Sequence, residues 1–341
     1  MLSDFICLTS NRDNLIEFII QHAVLTAIIN CNECGSIVNL NKETLMFTYN
    51  KRRLVKNIHK KRVSTQCRFK ESARIGTWFG KSTTDIKLIC RLTAYFIMLP
   101  PPRVQFLTSD TGLSKHTVID WLNFCREVCV YWAQKQNEML GGPGHTVEVD
   151  EAKFGRRKYN RGRIVEGHWV FGGIDRESKK IFLVPVQDRT QETLLKHIKE
   201  RILPGSIIIS DCWKAYNCLD NKAFQHLTVN HSYNFVDPDT GKVCFIKYID
   251  QINMEFANIL FFIFTGAHTQ NIERVWREVR ANIPKYGIIS RHFVGYLSEY
   301  LFKRNHILEN RIDSFFDEIS RLYPPKPNVQ CQEQASSSNL H

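Results

Sequence analysis

The sequence predicts an α/β fold, a mixed sheet with flanking helices that follows a cysteine-containing segment and a helical region. Short β-branched or apolar runs recur between residues 145 and 231, and segments of helical periodicity lie between and after them. Before residue 140, apolar helical stretches surround one closely spaced cysteine pair. With 341 residues and 43% hydrophobic content, the chain is long enough for two or three folded modules.

The charge balance favours a polyanionic partner. The chain has 46 Lys and Arg against 34 Asp and Glu, a formal net charge of +12. Its eleven cysteines follow no regular framework and no secretory signal precedes them, which predicts a reducing, intracellular compartment. The longest apolar run is too short to cross a bilayer, so nucleic acid is a better predicted partner than a membrane.

Residues 1–80 predict an N-terminal helix and a degenerate zinc-ribbon-like basic region. An apolar-periodic stretch over 14–29 predicts one helix. The sequence Cys31-Asn-Glu-Cys34-Gly35 then has the spacing of a zinc knuckle, in which two thiolates supply half of a tetrahedral site. A CxxC pair without a second pair is equally compatible with a ribbon held by packing alone.

A basic stretch follows the cysteine pair. Between Lys51 and Lys81 there are eleven Lys or Arg and one acid, Glu71. Such a density would gain affinity for nucleic acid by displacing counterions from phosphates. Two other interpretations stay open, a solvated surface and a nuclear import signal.

Residues 81–140 predict a helical region with a helix-turn-helix. An apolar helix over 85–99 ends at a run of three prolines. Residues 104–127 then have the pattern of a helix, a turn at Gly112 and a second helix capped by Ser114. The start of the second helix would meet DNA through Lys115, His116 and Thr117. A plain helical hairpin is the alternative.

Residues 145–310 predict a ribonuclease H-like domain. Strands are predicted over 145–153, 168–175, 180–186, 206–210 and 228–231, and helices over 191–201, near 214–219 and from about 271. Three strands followed by alternating helix and strand is the order of that fold, a mixed sheet with helices on both faces. In that fold the first and fourth strands are neighbours.

Three carboxylates are candidates for catalysis. Asp150 and Asp211 each close an apolar or β-branched run, the pattern of a strand whose end opens into a site. Glu273 lies on a predicted helix, because apolar residues recur around it at helical spacing. Oxygen ligands of this kind suit a pair of Mg²⁺ or Mn²⁺ ions and not zinc, and such a pair performs phosphoryl transfer. Singly, each acid is equally typical of a turn or a helix start.

Five blocks of the sequence carry a family resemblance: residues 147–155, 167–175, 208–216, 229–241 and 267–276. In these blocks the chain resembles the Merlin-type DDE transposases and the related ISXO-type transposase domain of bacterial insertion sequences, over about residues 31–306. The resemblance implies a cut-and-paste DNA transposase in which Asp150 would bridge two metal ions, and Asp211 and Glu273 would each complete one. Water would attack the transposon-end phosphodiester, and the freed 3′-hydroxyl would attack target DNA.

The resemblance also implies roles outside these three acids. Arg280 falls where relatives often carry Lys and would hold a DNA phosphate. Asn271 is expected to support the neighbouring acid. Relatives have their last zinc ligand at the position of Cys67 but one more cysteine than this chain, so His59 or a water would complete a zinc site with Cys31, Cys34 and Cys67. A basic loop placed beside the metal site would hold DNA backbone through Arg156, Arg157 and Lys158.

Partners and location follow from the same resemblance. It implies transposon terminal inverted repeats and target DNA as partners, a homo-oligomer on DNA, and a nuclear location. Two rival functions stay open, a nuclease of the same fold without strand transfer and a domesticated DNA-binding protein whose pocket no longer works.

Gathered carboxylates repel each other, so at least one of the three candidate acids should hold a proton more readily than in water when no metal is bound. The tail over 324–341 is rich in proline and serine and predicts disorder.

One segment interrupts the resemblance. Relatives run from Asp-Pro-x-Thr-Gly directly into Ala-His-Thr, whereas 25 residues over 242–266 separate these motifs here. Without them the offset from Asp211 to Glu273 falls from 62 positions to 37, close to the separation usual for such triads. Both ends can be encoded by splice-site sequences, which predicts a retained intron. The alternative is a genuine amphipathic insertion.

Overall fold

The computed structural model describes residues 1–32, 34–56, 62–80, 82–155, 167–211, 216, 224–229, 235–236, 243–244, 268–284 and 290–325. The chain forms two compact units, one of residues 1–133 with the described residues from 302 onward, and one of residues 134–301. The boundaries predicted from the sequence, and the disorder of the tail, stay predictions. Of the suspected insertion, only residues 243–244 are described. None of the described helices is long and apolar enough to cross a membrane.

The first unit begins with two helices and a four-stranded antiparallel sheet. These elements are α1 (Leu2–Ser10), α2 (Arg12–Gln21), β1 (Ile28–Asn30), β2 (Ile37–Asn41), β3 (Met46–Lys56) and β4 (Arg62–Ser72). The prediction of one helix over 14–29 is wrong. The chain leaves α2 through Ala23, whose φ is +53°, and β-branched Ile28 and Ile29 then pair with β2.

A helical region follows the sheet. Its helices are α3 (Ile86–Met98), α4 (Val104–Thr111) and α5 (Lys115–Lys135). Gly112 ends α4 in the left-handed conformation at φ +68°, and the Ser114 hydroxyl accepts a hydrogen bond from the Thr117 N–H at 3.1 Å. The turn and the cap therefore lie where the sequence predicted them. DNA binding by this region stays a prediction.

The second unit is built on a five-stranded sheet. In spatial order its strands are β11 (Gln225–Val229), β10 (Ile207–Asp211), β6 (Thr146–Phe154), β7 (His168–Asp175) and β8 (Ile181–Val186). Strands β6, β7 and β8 are antiparallel, whereas β10 runs parallel to both β6 and β11. The strands predicted first and fourth are thus paired, which confirms the predicted neighbours. The last strand begins at Gln225, three residues earlier than predicted.

Two pairs of short strands and three α-helices are also among the described residues of this part of the chain. The strands are β5 (Leu140–Gly141) with β9 (Ile202–Leu203), and β12 (Phe235–Val236) with β13 (Val243–Cys244). The helices are α6 (Gln191–Arg201), α7 (Gln270–Asn282) and α8 (Phe293–Asn305), the last of which ends in the first unit. A further helix of that first unit is α9 (Arg311–Leu322).

The two faces of β6 pack against different helices. Val147 and Val149 join an apolar cluster with Leu194 and Ile198 of α6. Ala152 and Phe154 belong to a second cluster, with apolar residues of α7. Because side chains alternate along a strand, Glu148 and Asp150 share the α7 face with Ala152 and Phe154. The sheet therefore presents two acids to one helix.

A glycine on β7 lets α7 approach this face closely. A Cβ atom at Gly172 would lie 2.6 Å from Cη2 of the Trp276 side chain. Trp276 is 2% exposed and packs on the sheet at this point. A side chain at position 172 would therefore displace the indole ring.

Candidate catalytic site

Asp150 lies in the middle of β6. The prediction that it ends its strand is wrong, because β6 continues as a hairpin with β7 until Phe154 pairs with His168. Its side chain lies deep among protein atoms yet keeps partial contact with solvent. The Trp276 indole Nε1 donates a hydrogen bond to Asp150 Oδ2 at 2.9 Å. Within the described parts of the chain, no Lys or Arg pairs with this carboxylate.

The protonation of Asp150 reflects this setting. Burial raises the pKa of Asp150 to about 7, and the negative charges of Glu151 and then Asp211 add to the effect. The hydrogen bond from Trp276 acts in the opposite direction. The prediction that one carboxyl group holds its proton more readily than in water is confirmed. Its cause is mainly burial rather than repulsion between the three predicted acids.

Asp211 is the last residue of β10, as predicted. Strand β10 runs parallel to β6, with Ile209 opposite Glu148. Two residues further along these strands come Asp211 and Asp150, so both carboxylates belong to the same face of neighbouring strands. The influence of Asp211 on the pKa of Asp150 agrees with this placement.

Glu273 lies in the first turn of α7, which packs on the same face. The Thr269 hydroxyl donates to Glu273 Oε1 at 3.4 Å. Glu273 precedes Trp276 by three residues, about one helical turn, and Trp276 contacts Asp150. The structure thus brings the helix with the third acid onto the face with the other two. Among the described residues, some groups of three potential metal-binding side chains have their ligand atoms within 4.8 Å of one another. Asp150, Asp211 and Glu273 do not form such a group.

Glu148 is a buried acid that the sequence analysis missed. It is 0% exposed and accepts hydrogen bonds from Asn271 Nδ2 at 2.6 Å, from the Ile272 N–H at 3.1 Å and from Arg176 Nε at 2.7 Å. Asn271, expected to support Glu273, therefore contacts Glu148. The available signal was the spacing of Glu148 and Asp150, which places two acids on one face of a strand.

The structure describes only some of the predicted DNA-binding residues. Arg280 is exposed, with its guanidinium carbon 5.3 Å from the centre of the Phe154 ring. Arg156, Arg157 and Lys158 lie outside the described residues. At the described end of β6, Lys153 Nζ lies 5.3 Å and the Arg189 guanidinium carbon 4.0 Å from the ring centre of Trp169. These two cations add positive charge near the end of β6.

The start of α5 is accessible for a partner. Lys115 and His116 are exposed and Thr117 is partly exposed. His116 Nδ1 lies 3.0 Å from Asp120 Oδ2, one turn further along the same helix. The predicted recognition surface therefore contains an acid that a DNA phosphate would have to avoid.

Three thiols converge in the first unit. Cys31 directly follows β1, Cys67 lies in β4, and their sulfur atoms are 3.4 Å apart. With Cys34 they form a group whose sulfur atoms all lie within 4.8 Å of one another. A hydrogen bond from Ser36 lowers the pKa of Cys34 to about 7, which favours the thiolate that binds metal. His59 lies outside the described residues.

Another cluster of potential ligands is better explained as a turn anchor. His145, Asp175 and Glu177 also lie within 4.8 Å of one another. However, Asp175 already accepts hydrogen bonds from the N–H groups of Gly141 and Glu177 and from the Ser178 hydroxyl, and it pairs with His145. These contacts lower the pKa of Asp175. Its oxygens hold the turn after β7 together.

Comparison with known proteins identifies the second unit. Residues 139–305 match the family model of the ISXO2-like transposase domain. An uncharacterised transposase-like protein of Haemophilus influenzae is 27% identical over 128 residues, which cover 37% of this chain and 82% of that protein. A chain from the cryo-EM structure of the simian T-cell lymphotropic virus intasome with PP2A regulatory subunit B56 gamma matches at a TM-score of 0.24 and 17% identity. That match covers 60% of this chain and 64% of the other, and the likeness is too slight to carry an argument. Together, the ISXO2-like domain match over residues 139–305 and the transposase-like relative support a DDE-type insertion-sequence transposase.

Proposed function

We propose that this chain is a cut-and-paste DNA transposase of the Merlin type, whose catalytic domain has a ribonuclease H-like fold. One observation carries the proposal. Asp150 and Asp211 share one face of paired parallel strands, and the helix with Glu273 packs on that face, within the matched transposase domain. The strands β6, β7, β8, β10 and β11 are the first to fifth strands of the five-stranded sheet in chain order. Their spatial order is then 3-2-1-4-5, which supports the ribonuclease H-like fold.

Divalent cations fit this set of residues. All three side chains offer carboxylate oxygens, the ligands that Mg²⁺ and Mn²⁺ prefer. Asp150 lies deep among protein atoms without a cationic side chain against it in the described structure, so an ion would offset the cost of its charge. A bound pair of ions would lower the pKa of the attacking oxygen and stabilise the leaving oxygen. Trp276 orients Asp150 through the indole N–H.

DNA contacts are proposed in both units. In the second unit, Arg280 and the loop with Arg156, Arg157 and Lys158 would hold the backbone near the carboxylates. In the first unit, the start of α5 with Lys115, His116 and Thr117 would recognise the transposon end. The hairpin of β3 and β4 adds the exposed cations Lys51, Arg52, Arg68 and Lys70. Assembly as a homo-oligomer on DNA and a nuclear location complete the proposal.

A strand-transfer assay tests this function. The substrate is a duplex with the inverted repeat that flanks the gene, incubated with the full chain, Mg²⁺ and a target plasmid. Cleavage at the repeat boundary followed by joining supports the transposase. Cleavage without joining favours a nuclease, and binding without cleavage favours a domesticated DNA-binding protein. Either of these results would overturn the proposal.

The thiol cluster is proposed to bind zinc. We expect about one zinc ion per chain in protein purified without chelators, because three thiols converge and Cys34 is readily ionised. Elemental analysis of Cys67→Ser should show loss of that ion and a lower midpoint of thermal unfolding. Cys7→Ser, at an exposed cysteine of the same unit, is the control and should retain zinc. A wild-type protein without zinc would indicate a ribbon held by packing alone.

The segment over 242–266 is proposed to be a retained intron. We expect mature transcripts to lack the codons of these 25 residues, because removing them rejoins two motifs and shortens the offset between Asp211 and Glu273. Sequencing of the messenger across this region checks it. Transcripts that all keep the segment would instead establish a genuine insertion.

A further inference from the structure

The buried carboxylate of Glu148 holds the beginning of α7. Burying a charge is costly unless it is paired and hydrogen-bonded. Glu148 meets both conditions, since Arg176 supplies the charge, and Asn271 and Ile272 supply hydrogen bonds. Two of these three donors belong to the first turn of α7, so the contacts join β6 to the helix.

These contacts replace an ordinary helix cap. The first N–H groups of a helix have no partner within the helix and need an acceptor. The residue at the cap position, Thr269, makes no capping hydrogen bond with its side chain. Glu148 Oε2 instead accepts the Ile272 N–H at 3.1 Å. A carboxylate at this end is also favoured by the helix dipole.

Arg176 extends the same connection to His268, two residues before the helix begins. Its Nε donates to Glu148 Oε1 at 2.7 Å, and its terminal Nη2 donates to the His268 carbonyl at 2.6 Å. Arg176 directly follows β7, so two strands of the sheet contribute to the clamp. The polypeptide entering α7 is thereby tied to the sheet on both sides of the cap position.

A second contact lies one turn further along α7. Trp276, four residues after Ile272, donates to Asp150, and Asp150 shares the strand face of Glu148. These two contacts fix the position of the helix along its axis and its rotation. Glu273 lies between them. We propose that Glu148 is a positioning residue that sets the placement of Glu273 relative to Asp150, an inference that rests on the proposed catalytic function.

The test uses Glu148→Asp in the full chain, because this variant keeps the charge but shortens the side chain by one methylene. Hydrogen exchange of the first-turn amides of α7 reports the clamp, and binding of Mn²⁺ alone, followed by electron paramagnetic resonance, reports the metal site. We expect first-turn exchange to accelerate at least about ten-fold and Mn²⁺ affinity to fall roughly 10- to 100-fold. DNA affinity measured without divalent ions should not change.

Asp175→Asn is the matched control, since Asp175 is another buried acid that accepts backbone hydrogen bonds in the same unit. It should lower the thermal midpoint and leave Mn²⁺ affinity at the wild-type value. If Glu148→Asp fails to fold, Asn271→Ala removes one donor of the same clamp from a partly exposed position. That variant should accelerate exchange and weaken Mn²⁺ binding in the same direction, at least about three-fold.

Wild-type exchange and Mn²⁺ affinity in the folded variant would overturn the role of Glu148. Glu273→Gln separates this failure from failure of the proposed function. If Glu273→Gln weakens Mn²⁺ binding and Glu148→Asp does not, only the positioning role is wrong. If neither variant affects Mn²⁺ binding, the proposed catalytic site is wrong.

Discussion

Replacement of Asp150, Asp211 or Glu273 by its amide is expected to reduce cleavage of transposon-end DNA by about a thousand-fold or more. The amide keeps the shape of the side chain but removes the negative charge that would hold a divalent ion. Asp150→Asn, Asp211→Asn and Glu273→Gln should each bind DNA with unchanged affinity, because the predicted DNA contacts are made by other residues. Single-turnover cleavage and a binding assay without divalent ions measure the two effects separately.

Glu192→Gln provides the control for these three variants. Glu192 is an exposed acid in the first turn of α6, on the helix that packs behind the other face of the sheet. The same chemical change there should leave cleavage at the wild-type rate. Cleavage close to that rate in Asp150→Asn, Asp211→Asn or Glu273→Gln would remove the residue concerned from the proposed triad.

Lowering the pH from 7 to 5 is expected to weaken Mg²⁺ binding roughly a hundred-fold. Because the pKa of Asp150 is about 7 without metal, the carboxyl group is largely protonated below that pH. The first ion to bind must then displace the single proton of Asp150, so its affinity falls by up to about ten-fold per pH unit. Above pH 7 the affinity should become nearly independent of pH. Isothermal titration calorimetry in buffers of different ionisation enthalpy measures both affinity and proton release.

The carboxyl group of Asp150 also makes the stability of the fold depend on pH. Burial raises the folded-state pKa of Asp150 to about 7, above its ordinary value of 3.8, so this group stabilises the metal-free fold at low pH and the contribution is lost as pH rises through 7. Mg²⁺ should therefore raise the thermal midpoint more at pH 8 than at pH 6. Asp150→Asn should abolish this difference. A wild-type Mg²⁺ affinity that stays constant between pH 5 and 7 would contradict the assignment.

Local patterns predicted the strands of the second unit well. The β-branched runs that became β6 and β10 are bounded by turn residues and are too short for helices, so periodicity and length agree. The predicted neighbours followed from the order of elements. The same reasoning failed for residues 14–29, because the short apolar run at the end of this stretch fits the continuation of a helix or a buried strand equally. Its last residues join a strand through pairing with β2, a contact that local periodicity cannot reveal.

The sequence could propose the three acids of the candidate site, but it could not predict the hydrogen bonds that support them. Asp150, Asp211 and Glu273 stand in sequence blocks that resemble a known family, so the sequence alone could propose them as candidates. The role of Glu148 depends on donors from α7 and on Arg176, which follows β7, and no single segment contains that information. Burial likewise decides the pKa of Asp150, and burial is a property of the assembled sheet and helix.

The distance along the chain between β6 and α7 has a consequence for the order of folding. The contact from Ile272 to Glu148 spans 124 positions and that from Trp276 to Asp150 spans 126. Contacts of such long range form late, because they must first overcome the entropy of closing a large loop. During synthesis, the strands through β11 emerge before α7, the helix that bears Glu273. A nascent chain that has not yet reached α7 therefore has its sheet aspartates without Glu273, and it should be catalytically inert while still on the ribosome.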